Sequence, residues 1–217
     1  FSQYIECLLF LEKYDEAEEA LRSFVRRDKT TDKWRAQISL AYVYQKNDEA
    51  DKADKYLKKM INELPEDKNV FTQVANNLRM KDFEEYAIML YDRGSDIPSI
   101  NHKFYMEKAM TYQSMMNFEK ATENFLLQLE INHDDYDIVK SRLSFMIRYD
   151  MDGSVTDVMR MSLLKKTQEK PDDIVFAELL VWFALQMKDY EIALNQEIAI
   201  DRRFNDREYD IIYLARI

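Results

Sequence analysis

Glycine and proline are scarce in this sequence, whose 217 residues include two glycines and three prolines. Hairpin turns, phosphate-binding loops and dinucleotide folds use glycine where the backbone needs a positive φ or a close approach. With only Gly94 and Gly153 available, the chain has few places for such features. The scarcity favours an all-α protein with short turns.

Cysteine and histidine are equally rare. Cys7 is the only cysteine, so no intrachain disulfide can form and the redox compartment stays undetermined. His102 and His133 are far apart in the sequence, and neither belongs to a recognisable set of the three or four converging ligands that a zinc site needs. Glycine-based nucleotide and nucleophile motifs are missing as well. We therefore expect Cys7 to be a buried structural thiol, and we expect no catalytic residue, metal or cofactor.

Acidic residues outnumber basic ones, 41 to 31, so the net charge is −10 and the sequence pI is about 4.9. This balance makes nucleic acid an unlikely partner, because that binding depends on Lys and Arg neutralising phosphates. The longest apolar run, residues 174–187, contains Glu178 and is shorter than the roughly 20 residues of a bilayer span. It predicts a buried helix and no membrane span.

A short pattern recurs along the chain, with an aromatic or aliphatic residue beside polar residues that can begin a helix. Its six positions are separated by 36, 33, 35, 37 and 35 residues: Tyr14, Ala50, Phe83, Phe118, Val155 and Tyr190. Such a period is the signature of a repeat protein. Each unit predicts two helices of roughly 14 residues. The predicted N-cap residues are Asp82, Asn117, Ser154 and Asp189.

The repeat resembles the tetratricopeptide (TPR) pattern of spaced small and aromatic residues followed by proline. The matching residues are Ala17-x3-Leu21, Leu40-Ala41-x2-Tyr44, Ala53-x3-Leu57, Pro65, Pro98, Ala109-x2-Tyr112, Ala121-x3-Phe125, Ala184 and Ala193. The resemblance implies a right-handed α-α superhelix of about six helix-turn-helix repeats plus a partial seventh. As a single array over 1–217, the approximate repeats are 1–30, 31–66, 67–100, 101–134, 135–172, 173–205 and the partial 206–217.

Two units depart from the pattern. Asn77 and Tyr86 replace an aromatic and a small residue in the third unit, which suggests a splayed helix pair. The fifth unit has a longer turn near residues 150–153. The sixth follows the pattern except that Glu197 stands where an aromatic is expected.

The two ends suggest a fragment of a longer protein. The chain starts with Phe1 rather than methionine, and the partial seventh unit lacks the polar outer face expected of a terminal repeat. The compartment is therefore open. We favour the cytoplasm, with a periplasmic or cell-envelope location as the alternative.

In TPR stacks the first helix of each pair lines a concave groove, which implies stripes of equivalent residues along these helices. One such position holds Arg35, Lys68, Lys103 and Lys140, and another is mostly apolar, with Tyr42, Ala75, Met110, Ile147 and Trp182. A basic border beside an apolar channel suits an acidic peptide or a carboxylate. The candidate partner-binding residues are Arg35, Tyr42, Lys68, Lys103, Met106, Met110, Gln113 and Lys140.

The specialised carboxylate clamp of chaperone-binding TPR domains is not supported, since Ile38, Ser39 and Tyr42 stand at its counterpart positions. The sequence predicts a non-enzymatic scaffold or adaptor that binds another protein or peptide in the groove. The sequence is also compatible with a homo-oligomer. The alternative is a regulatory or substrate-recruiting region of a larger enzyme or of a secretion or cell-envelope assembly. Glycan binding through aromatics such as Trp34, and RNA binding, are less favoured.

Overall fold

The computed structural model describes residues 1–27, 32–204 and 211–212, and these residues contain helices and no strand. Twelve α-helices follow one another as six pairs across this part of the chain. The first three pairs are α1 (Ser2–Phe10) and α2 (Tyr14–Arg27), α3 (Asp32–Lys46) and α4 (Ala50–Glu63), and α5 (Lys68–Arg79) and α6 (Glu84–Ser95). The last three are α7 (Tyr105–Ser114) and α8 (Phe118–Ile131), α9 (Tyr136–Arg148) and α10 (Ser154–Glu169), and α11 (Ile174–Gln186) and α12 (Tyr190–Phe204). The all-α fold of helix pairs is confirmed.

The chain forms two compact units, Phe1–Glu107 and Lys108–Ile217. The first has a continuous core from Ile5 to Phe104, to which α1 to α6 all contribute. In the second, the apolar helix α11 is buried as predicted, and Val181 and Ala184 pack with Ala193 and Ile200 of α12. None of the helices described is long and apolar enough to cross a membrane. The single array over 1–217 stays a prediction, and most of the partial seventh repeat lies outside the described residues.

A residue in the left-handed conformation lies between the two helices of every pair. Its positions are Glu12, Asp48, Asp82, Met116, Gly153 and Lys188, at separations of 36, 34, 34, 37 and 35 residues. Five of these residues have a side chain, and their φ values lie between 57° and 59°. Glycine is therefore not needed for a positive φ in these turns. Scarcity of glycine is therefore not in itself a reason to exclude turns with a positive φ, although the all-α fold that it favoured is present.

In these five turns the backbone forms the hydrogen bond of a Schellman motif, in which an N–H reaches the carbonyl five residues back. The N–H of Lys13 donates to Leu8 at 2.9 Å, that of Phe83 to Leu78 at 3.0 Å, and that of Asp189 to Ala184 at 2.8 Å. These bonds satisfy carbonyls that would otherwise be orphaned at the helix end. The same turn thus returns the chain into the second helix in each of the five pairs.

An alanine lies five residues after each of these five left-handed residues. The alanines are at most 4% exposed and are Ala17, Ala53, Ala87, Ala121 and Ala193. In the third pair this spacing makes Ala87 the small residue of the repeat pattern and the buried Tyr91 the aromatic residue that follows it. The marker position of the third pair is therefore Glu84, and Phe83, which was chosen from the sequence, is one residue too early. The predicted splaying of this pair is wrong, because the third pair has the standard register and α5 and α6 are joined by a continuous buried core.

The turn of the fifth pair is longer, as predicted, and is built differently. Gly153 has φ 82°, and the carboxylate of Asp150 accepts from the backbone N–H groups of Gly153 and Thr156. Gly153 is the N-cap of α10, so the prediction of Ser154 as cap is wrong.

Of the other predicted caps, two are confirmed. Asn117 accepts from Lys120 N–H and Asp189 from Ile192 N–H. Asp82 forms no cap bond, since it is itself the left-handed residue of its turn.

Polar contacts between neighbouring pairs join residues about one repeat apart in sequence. In the first unit Lys52 Nζ donates to Glu18 at 3.3 Å, and the Arg93 guanidinium donates to the carbonyls of Ile61 and Leu64 at the end of α4. In the second unit Lys166 Nζ donates to Glu130 at 2.7 Å. Within each unit, side chains of the second helices therefore add polar contacts between successive pairs to those of the apolar core.

The left-handed turns give the first prediction. Lys188→Gly should raise the free energy of unfolding by about 1 kcal/mol, because glycine removes the contact between Cβ and the carbonyl at positive φ. Asp48→Gly should raise the free energy of unfolding by a smaller amount, since Asp tolerates the left-handed conformation better than Lys. Chemical unfolding followed by circular dichroism measures both. Lys58→Gly in the exposed interior of α4 is the control and should lose about 1 kcal/mol. A loss of that size in Lys188→Gly would contradict the turn.

The contact between Tyr86 and Asp54 gives a pH-dependent prediction. The Tyr86 hydroxyl donates to Asp54 Oδ1 at 2.8 Å, and burial together with this carboxylate raises the pKa of Tyr86 from 10.0 to about 12. The unfolded chain therefore releases this proton at a lower pH, so the contribution of Tyr86 is complete below about pH 10 and is lost toward about pH 12.

We expect Tyr86→Phe to unfold more easily than the native chain by about 1 kcal/mol at neutral pH. The difference should narrow as the pH rises above about 10. Urea unfolding at a series of pH values measures it, and a constant difference would show that the hydroxyl is not held by Asp54.

Candidate functional site

The first helices of the first unit line a groove of about 590 Å³. Its walls come from α1, α3 and the end of α5, with two side chains of α2 behind them. The lining is mostly apolar and includes Ile5, Leu9, Leu21, Phe24, Ala36, Ile38 and Met80, and its charged residues are Glu6, Arg35 and Lys81. We call this surface the first-helix groove. Its dimensions suit a peptide segment with apolar side chains, and Arg35 and Lys81 can pair with a carboxylate.

Tyr42 lies on α3 and is partly buried rather than fully available. Its ring packs edge-on against Phe83, with centroids 6.5 Å apart, and the ammonium groups of Lys46 and Lys81 lie 5.2 and 5.0 Å from the ring centroid. Cations at this distance from an aromatic face are attracted by its quadrupole. Tyr42 thus positions Lys81, which lines the first-helix groove.

The two lysines predicted to follow Arg35 along the groove occupy different local positions. Lys68 is exposed at the first position of α5, directly after the capping residue Asp67. Lys103 precedes α7, and its ammonium donates to the carbonyl of Ser95 at 3.1 Å while Ser95 Oγ donates to the carbonyl of Lys103. Lys103 therefore closes the end of α6. Whether either lysine binds a partner stays a prediction.

Met106, Met110 and Gln113 lie on α7 and are all partly buried. Gln113 accepts from the N–H of Met116 through its backbone carbonyl, and its side-chain Nε2 is buried without a hydrogen-bond partner among the described residues. Buried amide donors without partners are uncommon in folded proteins. That Met106, Met110 and Gln113 bind a partner stays a prediction.

Lys140 lies on α9 in the second unit, where the structure brings it beside a residue of the predicted apolar stripe. Its ammonium is 5.8 Å from the ring of Trp182 and 5.6 Å from that of Tyr136. The basic and apolar positions predicted from the sequence therefore meet at this point. The arrangement can hold an anionic group next to an aromatic surface.

The histidines are engaged in local contacts. His102 Nε2 lies 3.1 Å from Glu107 Oε1, and His133 Nε2 lies 3.0 Å from Asp173 Oδ2. No group of three or more potential metal ligands occurs in the parts of the chain that the structure describes. Cys7 is exposed, so the expectation of a buried thiol is wrong. It lies on a face of α1 that the core does not cover, since the buried residues of that helix are Ile5 and Leu8.

Trp34, the candidate for glycan binding, packs against the core of the first unit and is only partly exposed. Met80 and Lys81, in contrast, line the first-helix groove and were not identified from the sequence. Met80 is 79% exposed. The sequence feature that could have indicated them is an apolar residue, Met80, between the two cations Arg79 and Lys81. A search for helical periodicity does not detect a feature of this kind in a turn.

Comparisons with known proteins give distant structural likeness only. No protein-family model matches the chain, and no curated protein sequence matches it. Among solved structures it is similar to Pseudomonas aeruginosa pilF, at 18% identity and a TM-score of 0.34, with 99% of this chain and 95% of that chain covered. A tetratricopeptide repeat protein from Parabacteroides merdae matches at 12% identity and a TM-score of 0.35, with 99% and 95% covered.

The TPR-like character of the helix pairs rests on the chain's own repeat. Five pairs share a left-handed turn and a buried alanine at a fixed distance, and the motif residues Leu21, Leu57 and Phe125 are at most 1% exposed. These are the small and large positions of the TPR pattern.

The placement of Lys103 predicts a structural effect. Lys103→Ala should lower the free energy of unfolding by about 0.5 kcal/mol, because the ammonium no longer donates to a carbonyl at the end of α6. Lys68→Ala is the matched control and should not be destabilised, since a cation at a helix N-terminus is unfavourable. Thermal unfolding compares the two variants. Equal losses in both would show that the Ser95 contact contributes nothing.

Proposed function

We propose that this chain is a protein-interaction scaffold without catalytic activity of its own, and that it binds a peptide segment of a partner protein in the first-helix groove. The observation that carries this proposal is the lining of that groove. Apolar side chains of α1, α2 and α3, together with Met80 at the end of α5, surround a volume of about 590 Å³. Arg35 and Lys81 also line this volume. Stacked helix pairs generally bind along such surfaces because neighbouring repeats extend the same groove.

The apolar lining favours a ligand with hydrophobic anchor residues. Met80 is 79% exposed, and a flexible thioether of this kind adapts to side chains of different shapes. Burial of one large apolar side chain contributes about 1.5–3 kcal/mol, so two anchors would supply much of the affinity of a peptide. The partner segment should therefore alternate apolar anchors with polar residues.

The two cations favour an acidic residue next to those anchors. Lys81 is held by the Tyr42 ring and Arg35 is exposed on α3, so both can reach a carboxylate without leaving a buried charge unpaired. Charges at such a border contribute mainly to specificity and association rate.

The proposal predicts that Arg35→Glu with Lys81→Glu weakens partner binding about tenfold or more, since a carboxylate then meets like charge. A photo-cross-linking amino acid at Ser39, which lines the groove, should capture the partner in cells. The double variant should lose that cross-link.

The control is Lys58→Glu with Lys165→Glu, which changes the net charge equally at exposed positions of α4 and α10. Met80→Asp provides an independent variant, because its side chain is too exposed to affect folding. Cross-linking from position 39 that persists in both groove variants would refute a partner in this groove. Equally strong cross-linking when the same amino acid replaces Lys58 would refute it too.

A further inference from the structure

A second cleft in the first unit lies between the second helices α2 and α4, away from the residues of the first-helix groove. It has a volume of about 780 Å³ and ten lining residues. Five of these are cations, Arg22 and Arg26 from α2 and Lys52, Lys55 and Lys59 from α4. Among the described residues that line it, Asp51 is the one acidic residue. We call this surface the basic cleft, and it occurs in a chain whose net charge is −10.

The floor of the basic cleft is an ordered network around Tyr44, which is 2% exposed. Arg22 Nε donates to the Tyr44 hydroxyl at 3.2 Å, and the Lys52 ammonium lies 4.0 Å from the centre of its ring. Both cations also pair with Glu18, at 2.8 and 3.3 Å. Arg22 and Lys52 are thus fixed in position before any ligand binds, which reduces the entropy that binding would cost.

The rim of the cleft carries cations with little compensation. Among the described residues, Lys55 forms no ion pair, although its charge interacts with the more distant Asp54 carboxylate. The Arg26 Nε donates to the carbonyl of Arg22 in its own helix. Lys59 lies 3.8 Å from Glu63, but both side chains are more than 60% exposed, and such pairs contribute little. The rim is therefore available to an external anion.

The repeat fold does not require this cluster. Counted from the left-handed residue Asp48, the positions of Lys52, Lys55 and Lys59 correspond to Glu16, Glu19 and Ser23 in the first pair. In the third pair they correspond to Tyr86, Met89 and Arg93. These pairs form the same turn with at most one cation at the three positions. Stacking of helices accounts for Arg22 and Lys52, which contact Tyr44 and Glu18 of neighbouring helices. It leaves the cations Arg26, Lys55 and Lys59 unexplained, whereas an anionic ligand explains them.

We infer that the basic cleft binds a segment of a partner protein that carries several carboxylate or phosphate groups. Lys52, Lys55 and Lys59 lie on one face of α4, and a helix rises about 10 Å over this stretch. An extended peptide places side chains of one face about 6.6 Å apart, so two anionic side chains fit between the two cationic helices. This site is separate from the first-helix groove and does not depend on the function proposed for that groove.

A peptide suits the cleft better than nucleic acid. Proteins that bind single strands offer exposed aromatic rings on which bases stack, but Tyr44 is buried and covered by Lys52, and Tyr56 is half-buried in the core. A polyanion longer than the cleft would also meet the acidic remainder of the chain.

Fluorescence anisotropy with the whole chain tests the inference. The probes are a fluorescein-labelled peptide of about ten residues in which glutamate and glycine alternate, its glutamine and phosphoserine analogues, and an oligothymidine of similar length. The cleft variant is Lys55→Glu with Lys59→Glu. The control is Arg148→Glu with Lys165→Glu, which changes the charge equally at exposed positions of α9 and α10.

We expect at least one anionic peptide to bind more weakly as salt increases, and the glutamine peptide not to bind. The cleft variant should lose about tenfold or more in affinity and the control less than about twofold. Tighter binding of the phosphoserine peptide would identify a phosphorylated partner, and equal or tighter binding of the glutamate peptide an acidic one.

The inference is overturned if neither anionic peptide binds, if cleft and control variants lose affinity equally, or if oligothymidine binds more tightly than both peptides. Thermal unfolding confirms that each variant is folded. If the reversed charges disturb α4, Lys55→Gln with Lys59→Gln must still weaken binding relative to Arg148→Gln with Lys165→Gln.

Discussion

The left-handed residue between the two helices of a pair is the constraint from which the rest of the structure follows. It allows the next N–H to bond to the carbonyl five residues back, and this bond sets the direction in which the second helix returns. An alanine five residues later has almost no exposed surface, so the second helix packs closely where a larger side chain would not fit. Turn and alanine together fix how the second helix of such a pair packs against the first.

Much of this could be predicted from the sequence, because it depends on residue type at a fixed period. Ala17, Ala53 and Ala121 with their apolar partners are buried as the pattern required, and Asn117 and Asp189 cap their helices. The register of the third pair was missed because Phe83 looks like the marker residues Tyr14 and Phe118. Backbone conformation decides this register, and residues as different as Glu, Met and Lys adopt the left-handed turn.

The candidate sites were less predictable, since they depend on which side chains become neighbours. Arg35 lines the first-helix groove, but Lys103 is drawn to a helix end by the carbonyl of Ser95. Lys81 lies in a turn of the third pair and is oriented by the ring of Tyr42, which belongs to the second pair. The basic cleft likewise combines residues of α2 and α4 that no single helical face reveals. Periodicity within one repeat carries no information on contacts of this kind.

The polar contacts between neighbouring pairs also bear on how the chain folds. Most of them join residues 29 to 40 positions apart, such as Arg160 with Asp189 and His133 with Asp173. The entropy lost in closing a loop grows only with the logarithm of its length, and here the length is nearly the same for each new pair. Within a unit, docking one more pair therefore costs a similar amount wherever it occurs. Folding of a unit can start at any well-packed pair and spread to its neighbours, because its contacts between pairs join pairs that follow one another in sequence.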